Sequence, residues 1–167
     1  MTIIDSSVLI AILLNEPNSD NFANYLSTKS KCLIASPTFL ETCMVASFRI
    51  GNSGVQEIQN LMRQTRIEIA DFSVTAAHQT ILAFKKYGKG KGHQAQLNFG
   101  DCISYAMSKT EFMPLLFKCN DFRLTNVNCG HLHTFGLSSN LCFISKTFAK
   151  INNRKKYTDR SVSGRLF

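Results

Sequence analysis

Short apolar runs alternate along this chain with longer stretches whose apolar positions recur at helical spacing. Thr2-Ile3-Ile4 reads as a strand buried on both faces. Asp5-Ser6-Ser7 then caps a helix through Val8–Leu14, apolar all round and so largely buried. Asn15-Glu16-Pro17-Asn18 breaks it, and a helix follows at about 19–28. Cys32–Ala35 is the second strand. Ser36-Pro37 opens a helix to Ile50, a capping hydroxyl followed by proline in the first turn. Gly51 stops it, and Ser53 caps a helix at about 54–65, with Val55, Ile58, Leu61 and Met62 on one face. Ile67–Ala70 alternates as a strand. Helix 74–86 ends in Lys85-Lys86-Tyr87-Gly88. A basic, glycine-rich loop, Gly88–His93, precedes helix 101–110 and a strand at Leu115–Lys118.

Strands separated throughout by helices predict an α/β fold, a parallel sheet with helices on both faces. In such sheets the working residues stand just beyond the carboxyl ends of the strands. Asp5 and Asp121 hold such positions, Glu41 lies in the first turns after the second strand, and Asp101 begins a helix leading into a strand. Each acid alone also reads as an ordinary helix cap or dipole partner. Glu41 resists that reading, because it sits among Phe39, Leu40, Cys43, Met44 and Val45 with no basic residue nearby in sequence. A buried carboxylate without a partner is costly.

As a set the acids change the picture. Two like charges about 4 Å apart repel by about 4 kcal/mol at an effective dielectric near 20. Four carboxylates at one sheet edge therefore persist by protonation or by binding a cation. Hard oxygen donors favour Mg²⁺ or Mn²⁺, which activates water and neutralises phosphate charge. The chemistry is that of a metal-dependent phosphodiesterase.

Ile4-Asp5-Ser6-Ser7, Leu40-Glu41-Thr42, Leu97-Asn98-Phe99-Gly100-Asp101-Cys102 and Leu115-Leu116-Phe117-Lys118-Cys119-Asn120-Asp121-Phe122 come in that order. Together they resemble the PIN-domain family, and within it the VapC-type toxin ribonucleases of bacterial toxin–antitoxin pairs. Tyr87-Gly88-Lys89-Gly90 is similar to theirs too. The resemblance implies a Rossmann-like PIN fold over about residues 1–126, Mg²⁺- or Mn²⁺-dependent RNA cleavage, homodimerisation, and inhibition by a small cognate antitoxin. It implies that Asp5, Glu41, Asp101 and Asp121 bind the metal and act in catalysis, with Ser6 in support. This chain departs where relatives often have Gly, at Cys119, and where they commonly have an acid, at Asn126; an Asn there keeps an oxygen ligand and loses a charge. A second reading is a catalytically impaired PIN domain that still binds antitoxin. A third, an aspartyl-phosphate phosphatase or receiver domain, would want Asp-x-Asp after the first strand or a strand-end Lys, for which Lys118 is the only candidate.

Charge and composition add boundaries. Residues 1–126 carry 12 Lys/Arg and 10 Asp/Glu, whereas residues 127–167 carry 7 and 1, so most of the net +8 belongs to the tail. That tail is expected to be an atypical basic extension, a functional segment or a frameshift product, with at most a marginal strand near 132–135 and poor order after about 145. Arg154-Lys155-Lys156 reads as a solvated run, with added RNA affinity as the sharper alternative. His78 reads as structural, and nothing supports a metal role for His131 or His133. Lys89 and Lys91 are candidates for RNA phosphates. The six cysteines include no C-x-x-C pair and read as reduced thiols. No apolar run approaches the roughly 18 to 20 residues of a membrane span, so a cytoplasmic protein is expected. The apolar faces of helices 37–50 and 53–65 exceed what one core needs and predict a dimer or antitoxin surface.

Overall fold

A computed structural model describes residues 1–118 and 120–129. Cys119, the expected strand near 132–135, His131, His133, Cys142 and Arg154-Lys155-Lys156 lie outside the described residues.

Four parallel strands, β1 (Thr2–Ile4), β2 (Cys32–Ala35), β3 (Ile67–Ala70) and β4 (Leu115–Leu116), stand in the order β3-β2-β1-β4. The register runs through Thr2 opposite Cys32, Ile3 opposite Leu115 and Leu33 opposite Glu68. Alternation along each strand divides the core into two layers. Ile3, Leu33, Ala35 and Leu115 pack against α5 (Val74–Tyr87) and α6 (Phe99–Thr110). The opposite face meets α1 (Ser6–Leu13), α2 (Ser19–Ser27), α3 (Ser36–Ile50) and α4 (Gly54–Thr65); there Thr2 hydrogen-bonds Tyr25 on α2 at 3.2 Å. The predicted fold class holds. The strand order reverses between β1 and β4, and in open α/β sheets ligands bind at such a reversal.

Several boundaries moved for local reasons. Ser36 lies inside α3; Ala35 is the cap position and no side chain caps there. Helix α6 starts two residues before Asp101. Asn98 is its cap and accepts from the Asp101 N–H, while the Asp101 side chain accepts from the Asn98 N–H. Asp101 is therefore the third residue of a capping box rather than the helix start. Strand β4 is two residues long, ending before Phe117 and Lys118. Past the expected boundary at 126, Val127 is buried and the Leu115 N–H donates to the Asn128 carbonyl at 2.8 Å. Gly54 lets α4 approach α3 closely: a Cβ there would stand 2.4 Å from the Ala46 backbone.

Candidate active site

Because all four strands run the same way, their carboxyl ends share one edge. Asp5 follows β1, and Asp121 opens a 3-10 turn (Asp121–Leu124) after β4. These two acids flank the reversal in strand order. Glu41 stands on the second turn of α3, after β2, and Asp101 on the first turn of α6, whose start returns the chain to the same edge.

Asp5 is 2% exposed and Asp101 8% exposed. The Asp5 Oδ1 accepts from the Ser7 N–H at 3.0 Å and the Ser7 hydroxyl at 2.6 Å. Ser7 Oγ in turn accepts from the Lys118 N–H at 3.1 Å, and the Asp5 N–H donates to the Leu116 carbonyl at 3.0 Å. The ends of β1 and β4 are thus tied together through Asp5 and Ser7. Asp5 is both the cap of α1 and a member of the acid set, so the two readings of it are compatible.

Burial pushes the Asp101 carboxyl up to about 6; its bond from the Asn98 backbone opposes this, and the charges of Asp5, Asp121 and Glu41 add to it. Glu41 is likewise raised, first by burial and then by the Asp5 charge, with the Ser6 hydroxyl acting against it. Ser6 therefore bears on Glu41, while its neighbour Ser7 holds Asp5. Among the described residues no three His, Cys, Asp or Glu side chains stand as close as the ligands of one ion. The four acids share an edge and a field, with Asp5 turned to Ser7 and Asp101 to the Asn98 backbone. The donor set still fits a hard divalent cation: it is all oxygen, and the repulsion that raises Asp101 is what a cation relieves. Two buried hydroxyls on the same helices, Thr38 three residues before Glu41 and Ser104 three after Asp101, have no hydrogen-bond partner among the described residues.

Asn126 is held by residues of α5 and α6. Its carboxamide oxygen accepts from Tyr105 at 2.6 Å and Tyr87 at 3.1 Å, and its carbonyl from Lys109 Nζ at 2.6 Å. Both lone pairs of the side-chain oxygen are thereby taken. Lys118, the only candidate for a receiver-type lysine, pairs with Glu16. The Gly88–His93 loop is closed at its base: Gly88 bridges Leu97, the Lys89 N–H donates to the Leu97 carbonyl at 2.9 Å, and Gly90 and Gly92 take φ near 80°. Lys89 and Lys91 are exposed on it, with Lys91 Nζ 5.2 Å from the Phe84 ring centre.

The model of the PIN domain matches residues 2–128. The chain belongs to the PIN domain family. The ribonuclease VapC of Mycolicibacterium smegmatis is 36% identical to this PIN domain protein over 129 residues, covering 77% of this chain and 99% of that one. Ribonuclease VapC30 of Mycobacterium tuberculosis is 34% identical over 125 residues, 75% of this chain and 95% of its own. Among solved structures, Mycobacterium tuberculosis VapC20, a Sarcin-Ricin loop cleaving toxin, superposes with a TM-score of 0.62 at 12% identity, over 76% of this chain and 96% of that one. VapBC2 from Rickettsia felis, bound to a DNA fragment from its promoter, gives 0.59 at 16%, over 77% and 96%. At these identities the structures speak for the fold alone.

Ser7 and Gly100 carry local geometry that sequence reading passed over. The Asn98-x-x-Asp101 spacing was a readable capping signal. The Ser7–Lys118 contact joins positions 111 apart and had none.

Proposed function

We propose that this PIN domain is a metal-dependent endoribonuclease and the toxin of a toxin–antitoxin pair. The observation that carries it is placement: Asp5, Glu41, Asp101 and Asp121 come from separate elements at one sheet edge, with Asp5 and Asp101 buried there. The VapC ribonucleases at 34 and 36% identity support the same reading. Asp5, Glu41, Asp101 and Asp121 would hold Mg²⁺ or Mn²⁺. A bound ion of this kind supplies activation of water and neutralisation of phosphate charge. Ser7 fixes Asp5, Ser6 tempers the charge on Glu41, and the Asn98 backbone orients Asp101. One carboxylate of the set would orient the attacking water or take its proton. Lys89 and Lys91 would meet the RNA backbone. A cognate antitoxin is the expected partner, by analogy with VapBC2, and a homodimer the expected assembly. The cytoplasm is the compartment in which such a nuclease meets RNA; no helix among the described residues is long and apolar enough to cross a membrane.

Purified protein should cut RNA in Mg²⁺ or Mn²⁺ and stop with chelator, and Asp101→Asn should remove the activity. Equal cleavage by that variant would overturn the mechanism. The Asn126 contacts favour keeping a second reading, a PIN domain impaired in catalysis that retains antitoxin binding. Weak Mn²⁺ uptake and no cleavage by wild type, with antitoxin still bound, would select it.

A further inference from the structure

Glycine at position 100 is out of keeping with its local structure. It is the second residue of α6, it does not take a positive φ, and it is buried. On backbone grounds alanine would serve there, and would favour the helix by up to about 1 kcal/mol. What a side chain would meet explains the exception. A Cβ at Gly100 would lie 2.7 Å from Glu41 Oε2, 2.9 Å from Oε1 and 3.1 Å from Cδ. All three nearest atoms belong to one carboxyl group, on a different helix. Ordinary contact between heavy atoms begins near 3.5 Å, so the methyl and the carboxylate would compete for one place.

We infer that Gly100 is a positioning residue, whose missing side chain is the seat on which the Glu41 carboxylate stands beside Asp101. This rests on the reading of the acids as a metal centre, and deepens it. Glu41 reaches across from α3 with a flexible side chain, whereas the α6 backbone is fixed by the Asn98–Asp101 capping box. A methyl at Gly100 therefore displaces the carboxylate rather than the helix. The fold survives and the acid set loses its geometry. Residues that orient ligands without binding the ion typically change metal affinity by about 10- to 100-fold.

The test is a cycle of Gly100→Ala and Glu41→Ala, read by Mn²⁺ titration of the full chain with electron paramagnetic resonance and by thermal unfolding. Gly100→Ala should stay folded with unchanged or raised Tm and bind Mn²⁺ about tenfold more weakly or worse. In the Glu41→Ala background the same methyl should change Mn²⁺ affinity less than about twofold, because the carboxylate it would displace is gone. An equal loss in both backgrounds, or no loss in the wild-type background, overturns the inference. A metal-free crystal structure of Gly100→Ala separates this from the wider reading. The Glu41 carboxylate should have moved by about 1 Å with α6 in place; an unmoved carboxylate refutes the positioning role. A wild type that takes up no Mn²⁺ would instead count against the metal centre.

Discussion

Tyr105 donates a 2.6 Å hydrogen bond to the carboxamide oxygen of Asn126, which Tyr87 reaches at 3.1 Å. The two phenols come from α5 and α6, and the amide from the segment that follows the turn bearing Asp121. This contact closes the described part of the domain. A typical intramolecular hydrogen bond is worth about 1 kcal/mol net. Tyr105→Phe should therefore lower stability by about 1 kcal/mol in urea unfolding. Combined with Asn126→Ala it should lose less than the sum of the two single changes, a coupling of about 0.5 to 1.5 kcal/mol. Strict additivity would mean that the bond adds nothing in solution.

Asp101 predicts a stability that depends on pH. Its carboxyl is raised from 3.8 to about 6, chiefly by burial, so the folded protein holds that proton more tightly than the unfolded chain. The stabilisation is fully present below about pH 4 and is lost as pH rises through 6. Asp101→Asn removes the charge, and its side-chain oxygen still accepts from the Asn98 N–H. In chelator the variant should match wild type near pH 4 and exceed it above pH 7. The full shift corresponds to about 3 kcal/mol, and partial solvation of the carboxyl reduces the expected gain to about 1 to 2 kcal/mol. The same substitution should abolish RNA cleavage. A residue that stabilises when neutralised and inactivates when neutralised is held in the fold for its charge.

The elements were legible because their periods are clean. Thr2-Ile3-Ile4 reads as a strand buried on both faces and Cys32–Ala35 as the second strand, and both are fully buried strands of the parallel sheet. Val55, Ile58, Leu61 and Met62 recur at helical spacing and mark α4; Asp5, Asp101 and Asp121 stood out at the ends of elements, and Glu41 as a charge among apolar neighbours within a helix. What stayed hidden was contact between distant positions. Nothing in Glu41 or Gly100 separately says that one carboxylate rests on the other's Cα. The contacts of Asn126 were hidden for the same reason: an amide after Thr125 gives no sign of two tyrosines 39 and 21 residues earlier.

The surface of α3 carries a partner-binding prediction. Leu40, Met44 and Phe48, four residues apart, form a stripe on one helix face and are 60, 65 and 88% exposed. On α4 the expected excess is absent: Ile58, Leu61 and Met62 are buried, and Val55 alone is exposed. Met44→Glu with Phe48→Ser should leave stability within about 0.5 kcal/mol, since neither side chain is in the core. The pair should nonetheless break self-association or antitoxin binding in analytical ultracentrifugation. Retention of both would free this stripe of any role in assembly.

The loop ahead of α6 makes the last prediction. Its base is stitched by the Leu97 N–H to the Tyr87 carbonyl at 2.9 Å and by the Lys89 N–H to the Leu97 carbonyl at 2.9 Å. Leu97 is followed at once by Asn98, the cap of the helix that carries Asp101. Lys89 and Lys91 are therefore carried on a closed loop anchored two residues before the acid-bearing helix begins. Cations held there suit the backbone of a strand lying across the acids, and each phosphate contact to single-stranded RNA steepens the salt dependence of binding by about 0.7. Lys89→Ala with Lys91→Ala should lower the slope of log K against log salt by about 1.4 if both lysines touch phosphate. Fluorescence anisotropy with a non-cleavable oligonucleotide measures it. Asp101→Asn provides the control, because neutralising a carboxylate beside the strand should not lower that slope. An unchanged slope in the lysine variant would remove the loop from the RNA interface and leave recognition to the edge that bears the acids.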